Sequence, residues 1–126
     1  MTTRLVLSKR AMAAIEADVL AHPTTETGGL LPCRMFGNAM IVPFTIPGGS
    51  RATRTPSRFS PDTDTQQVLL DFAFDLFSVD FGGAWHRHPG QFDQPSAYDL
   101  KTARHIVTDP TWDKQHAVFP IAVTDG

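Results

Sequence analysis

The sequence predicts an α+β fold with a mixed or largely antiparallel sheet flanked by helices, and two observations carry that reading. Segments with strand character bunch together between helical segments instead of alternating with them one for one, which argues against a doubly wound parallel sheet. The 126 residues are the size of one ordinary domain, and 41% hydrophobic against 19% charged is a globular balance. A chain of this length buries a proper core without staples. Residues 1–126 are therefore read as a single domain.

Taken in order, "RLVL" at residues 4–7 is a short apolar strand. Ser8 is placed to cap a helix reaching about His22, with Met12, Ile15 and Val19 at helical spacing and Pro23 as the stop. "GGLLPCRMF" and "NAMIVPFTI" read as two strands turned by Gly37 and Asn38. Pro32 makes the first look like an edge strand, because proline cannot donate to a ladder. "SRFSPD" is a further short strand candidate. "TDTQQVLLDFAFDLF" reads as a second helix with Asp62 or Asp64 near its cap. It is apolar on most faces, which predicts deep burial, with Phe72, Phe74 and Phe77 in the core. "DFGGAWHRH" is a strand, "PSAYDLKTARHIV" a third helix ending before Asp109-Pro110, and "HAVFPIAVT" a last strand, beyond which a short missing tail is expected.

Composition narrows the function classes. The net charge is -2, and the nearest thing to a basic track is "RATRTPSR", Arg51 to Arg58, which reads as a solvated loop. Nucleic-acid binding is not expected. Cys33 has no second cysteine to pair with and reads as a small buried hydrophobe. "MTTRLVLSKR" lacks the apolar run and cleavage site of a signal peptide, and no stretch is long enough to span a membrane. The expectation is a cytoplasmic protein.

The stretch "WHRHPGQFDQPSAYD", residues 85–99, concentrates the chemistry. His86 and His88 are two apart, so on a strand both imidazoles leave one face and can converge on one ion. Pro89 ends regular pairing and turns the chain. Ser96 is a natural helix N-cap, which puts Asp99 in the first turn of the next helix, where it can point back at the strand end. Two histidines and a carboxylate are a common set for catalytic zinc, with a fourth position open to water. Read singly, His-x-His is a weak signal and Ser-x-x-Asp is an ordinary cap. The cap and the metal reading do not compete, since the cap fixes where Asp99 points. Hydrolysis also needs a base, and Glu26 in "TETGGLL", beside Gly28 and Gly29, is the candidate, although alone it is only a loop carboxylate. Trp85 alternates with His86 and belongs to the core. His22, His105 and His116 lack metal-like spacing and read as helix-end or surface residues.

Together these residues resemble the JAMM motif of the JAB/MPN metalloprotease family: an upstream Glu, then His-x-His-Pro, six residues, Ser, two residues, Asp. The chain offers Glu26, then His86-Arg87-His88-Pro89, "GQFDQP", Ser96, "AY" and Asp99. "ETGGLL" and "GGAWHRHP" are similar to the family's flanking segments. The resemblance implies a cytidine-deaminase-like fold with a curved sheet or partial barrel. It implies that His86, His88 and Asp99 bind Zn2+, that Glu26 moves the proton of the attacking water, and that Ser96 hydrogen-bonds the oxyanion. It implies cleavage after the C-terminus of a ubiquitin-like or sulfur-carrier protein, with an adenylating enzyme as an associated partner. Arg87 departs from the family's usual Ser or Thr, and alternation points it away from the metal, so little effect on ligation is expected. The length fits the compact bacterial branch. A non-catalytic MPN-type interaction module and a RadC-like domain are the competing readings. The intact metal set argues against the first, and "ETGGLL" together with the lack of room for an upstream DNA-binding domain argues against the second.

Overall fold

A computed structural model describes residues 4–89 and 117–122. The expected third helix, with Ser96, Asp99 and His105, lies outside the described residues, as does His116. The described elements are β1 (Arg4–Leu7), α1 (Lys9–Ala21), β2 (Thr27–Phe36), β3 (Ala39–Val42), β4 (Ile46–Pro47), β5 (Thr53–Thr55), β6 (Arg58–Ser60), α2 (Thr63–Phe77), β7 (Asp80–Arg87) and β8 (Ile121–Ala122). They form an α+β structure whose mixed sheet, in the order β1-β3-β2-β7-β8, curls into a half-barrel, with β4 also pairing β2. The β1–β3 and β7–β8 pairs are parallel, and β2 is antiparallel to β3, β4 and β7.

The turn after β2 matches expectation, with Gly37 at φ +60°. "NAMIVPFTI" is not one strand. It breaks after Val42, and the short β4 returns to pair Gly29 and Leu30. The edge reading of Pro32 is corrected: β2 is internal, flanked by β7 on one side and by β3 and β4 on the other. Pro32 falls where neither β3 nor β4 pairs with β2, beside a register shift against β7. A local irregularity absorbs the missing N–H, as bulges do inside sheets. The loop reading of Arg51–Arg58 is also corrected, because β5 and β6 pair as a hairpin through Arg54 and Phe59.

Each helix covers one face of the sheet. Ala11, Ile15 and Val19 of α1 pack on Leu31, Cys33, Met40, Val42 and Trp85. Ala11, not Met12, takes the first core position, and Met12 is exposed. Leu70 of α2 packs with Ile46 and Phe81 on the other face. The expectation of a deeply buried α2 is overturned. Gln66, Leu70 and Ala73 are its buried residues, while Phe72 is 59% exposed and Phe74 and Phe77 are exposed too. A helix lying on a sheet presents one stripe to it, which leaves Phe72 and Phe74 outside the stripe, while Phe77 meets the edge of the Phe44 ring, at 5.5 Å between centroids.

Neither helix carries a basic residue in its last turn, and the sheet supplies one to each. Arg34 of β2 donates from Nε to the Phe77 carbonyl at 3.1 Å, and Arg87 of β7 donates to the His22 carbonyl at 2.7 Å. Both cations meet the negative end of a helix. β8 is fastened through Val118, whose N–H donates to Gly82 and whose carbonyl accepts from Ala84. This close approach requires Gly83, at φ +147°, since a Cβ there would collide with the Val118 carbonyl.

Asp62 is the cap of α2. It accepts from the Thr65 hydroxyl at 2.7 Å and the Thr65 N–H at 3.2 Å, and from the Arg51 N–H at 3.3 Å. These bonds, the Thr65 hydroxyl foremost, hold its carboxyl below the usual carboxylate range. A pKa lowered by folding stabilises the fold above the unfolded value, and that contribution is lost as pH falls through the folded one. Asp62→Ala is therefore expected to lower Tm by about a few degrees at neutral pH, as the loss of an N-cap does. Thermal melts across pH should show the difference shrinking below about pH 4. A difference that grew on acidification would contradict this account of the cap.

Candidate metal centre

The site is built on the β2–β7 pair. Gly28 faces His86, and Thr27 faces Arg87. Cross-strand partners share a face and neighbours along a strand alternate, so Glu26, Gly28, His86 and His88 belong to one side and Thr27, Trp85 and Arg87 to the other. Trp85 is buried against α1, as its alternation with His86 predicts. Gly28 is what lets the strands close over the site. A Cβ there would strike the Trp85 carbonyl and come within 2.8 Å of the His86 Cβ and 3.0 Å of the Phe59 ring.

On the site face, His86 Nε2 and His88 Nε2 are 3.0 Å apart, with ring centroids 4.8 Å apart. Glu26 is 7% exposed and its N–H donates to the Thr55 carbonyl at 2.8 Å, which fastens it to β5. One ligand atom from each of Glu26, His86 and His88 lies within 4.8 Å of the others. Two nitrogens on a tetrahedral zinc at 2.0–2.1 Å stand about 3.3 Å apart, so the observed pair is close to coordination spacing. Either one ring donates to the other, or both aim lone pairs at one ion. A buried carboxylate beside them supplies negative charge where a cation would sit. The residues fit a divalent metal, and imidazole with carboxylate suits zinc among other transition metals.

Of the residues singled out from sequence, the structure thus brings together Glu26, His86 and His88; Ser96 and Asp99 lie outside the described residues. Cys33 is buried in the α1 core. His22 is the C-cap of α1 and bonds Asp18 through Nδ1 at 3.0 Å. Behind the site runs a polar chain that sequence reading missed. Arg54 Nε donates to the Thr27 hydroxyl at 2.9 Å, which donates to Asp18 at 2.6 Å, and the Arg54 guanidinium lies over the Phe59 ring. Arg87 was also undervalued. It turns away from the histidines as expected, but it is 5% exposed, and its NH1 donates to the His22 and Thr25 carbonyls. The signal was present in the sequence: a residue two positions from a core tryptophan on the same strand shares its face.

With this geometry in place, comparison with known proteins adds a relative. No family model matches the chain. Over 108 residues it is 36% identical to a protein of Sinorhizobium fredii named "Probable metalloprotease y4qB", an alignment covering 82% of this chain and 66% of that protein. The chain is a relative of a probable metalloprotease. Its fold is similar to the solution structure of a protein from Desulfitobacterium hafniense, with a TM-score of 0.65 and 26% identity over 79% of this chain and 66% of that one. In both cases the chain spans about two thirds of the other protein's length. No helix among the described residues is long and apolar enough to cross a membrane.

The tight approach at Gly28 yields a prediction. Gly28→Ala would set a methyl group against the His86 Cβ, displace that imidazole and lower metal affinity on the order of tenfold, the scale seen when the residues that orient ligands are disturbed. Competition against a chromogenic chelator measures this, and an unchanged affinity would mean that the close approach of Gly28 to His86 does not set the site.

Proposed function

We propose that the protein is a zinc-dependent metallopeptidase of the JAMM type. In this reading it hydrolyses a peptide or isopeptide bond after the C-terminus of a ubiquitin-like or sulfur-carrier protein, and an adenylating enzyme that activates the same carrier is its natural associate. The observation that carries the reading is that Glu26, just before β2, and His86 and His88, at the end of β7, offer ligand atoms within 4.8 Å of one another. The name of the relative supports the hydrolase class. The motif spacing, which continues through Ser96 and Asp99, supports the finer assignment.

His86, His88 and Asp99 would hold the metal. The ion, when bound, brings a water molecule toward neutral pKa and polarises the scissile carbonyl. Glu26 does the proton work. Its carboxylate takes the proton of the attacking water and returns it to the leaving amine, a role that needs a carboxylate near the ligands and shielded from bulk solvent. Ser96 donates its hydroxyl to the carbonyl oxygen as negative charge grows there. The Glu26 N–H bond to the Thr55 carbonyl fixes the stretch of backbone from which that carboxylate projects.

Protein purified without chelator is expected to carry about one zinc per chain. Metal analysis decides this, and protein that neither holds nor takes up zinc would sink the site. Glu26→Gln should keep the zinc and lose at least about 100-fold in hydrolysis of a carrier protein extended by a peptide beyond its Gly-Gly terminus. Undiminished cleavage by that variant would remove Glu26 from the mechanism. Zinc retention with no cleavage by the wild type would favour the interaction-module reading.

A further inference from the structure

We propose that Arg87 is a positioning residue that sets Glu26 against the histidine pair from the opposite face of the sheet. The inference rests on the metal-centre reading and assigns it a support that the motif does not contain. Arg87 stands between His86 and His88 in the chain, but its side chain runs the other way, beneath the end of α1. There NH1 donates to the His22 carbonyl at 2.7 Å and to the Thr25 carbonyl at 3.3 Å. These two carbonyls bracket the turn between α1 and β2, and the residue after Thr25 is Glu26.

The guanidinium is buried, and its partners among the described residues are carbonyl oxygens. Nε finds no partner among them. Burying a cation is costly, and here the negative end of α1 offsets the cost. The arginine fork is rigid and its bonds are directional. If the turn shifted, a buried cation would lose its partners, so residues 22–25 are held at a fixed separation from residue 87. Residue 87 carries the two histidines on either side of it, and residue 25 carries Glu26 next to it. One side chain therefore spans the two halves of the centre, which otherwise meet through the Thr27–Arg87 and Gly28–His86 register pairs. A clamp confined to α1 would steady the helix; this one ends on the turn that delivers the carboxylate.

The chain has two glutamates, Glu26 and the exposed Glu16, so carboxyl-13C glutamate labelling gives one reporter line and one internal reference. In wild-type protein the Glu26 line is expected to be sharp, apart from that of Glu16, and displaced by one equivalent of Zn2+. In Arg87→Gln, zinc should still bind with affinity within about threefold, since the imidazoles are local to β7. The Glu26 line should broaden toward the Glu16 position, and its zinc-induced displacement should fall by half or more. Arg87→Lys, which keeps the charge, should restore part of it. Asp62→Ala, a destabilised variant on α2, should leave the line alone. A Glu26 line in Arg87→Gln identical to wild type overturns the proposal, as does an equal change in Asp62→Ala. Should Arg87→Gln fail to fold, Arg87→Met keeps the stem, removes the donors and is read the same way. Wild-type protein that takes up no zinc overturns the metal-centre reading, while the metal-free spectra of wild type and variant still decide whether Arg87 positions Glu26.

Discussion

The meeting of Glu26 with the histidine pair depends on the register between β2 and β7. Gly28 opposite His86 and Thr27 opposite Arg87 are two consecutive rungs of one antiparallel ladder. Because side chains alternate, that register sends Glu26, His86 and His88 to one face and Thr27, Trp85 and Arg87 to the other. A slip of one residue in β2 would bring Thr27 opposite His86 and turn Glu26 toward α1. The proposed chemistry therefore has no existence at the level of either strand alone.

Several contacts hold the register, and nearly all lie on the face away from the histidines. Trp85 is locked into the α1 core with Ile15 and Val19. Thr27 is held between Arg54 and Asp18. Arg87 reaches the end of α1 and the following turn. The glycines then permit what the core demands. Gly28 lets β2 lie against the Trp85 carbonyl and the His86 stem, and Gly83 lets Val118 come close enough for β8 to pair with β7.

Which parts of this were legible in the sequence follows from the range of each interaction. The period of two placed His86 and His88 on one face and Trp85 on the other, because alternation is a property of a single strand. The Ser8 and Asp62 caps were readable for the same reason, being bonds between residues three apart. Glu26 was not readable locally. It stood out through its resemblance to a motif, and its approach to the histidines depends on strand pairing across sixty residues of sequence. Pro32 misled because an edge is the commonest way to spare a missing N–H, whereas this sheet spares it with a gap between β4 and β3 and a register shift. The exposure of α2 was hidden because an all-round apolar sequence does not say how much of a helix its sheet can cover. Of the β5–β6 hairpin only β6 was anticipated, in "SRFSPD"; β5 was missed because a three-residue strand of Thr and Arg carries no hydrophobic alternation to read.

The two halves of the centre differ in what they require of the fold. The histidine pair is nearly local: its residues are two apart, and their spacing survives as long as β7 ends as a strand. Glu26 is non-local. It reaches the pair by way of β2 pairing, the bond to Thr55 and the turn held by Arg87. Motions that loosen β2 from β7 displace the carboxylate first and leave the imidazoles in place. In the proposed mechanism, metal holding and proton handling are thus separable, one belonging to a strand and the other to a strand pair. The side of the sheet that faces α1, where no proposed ligand lies, has its influence on the second property and little on the first.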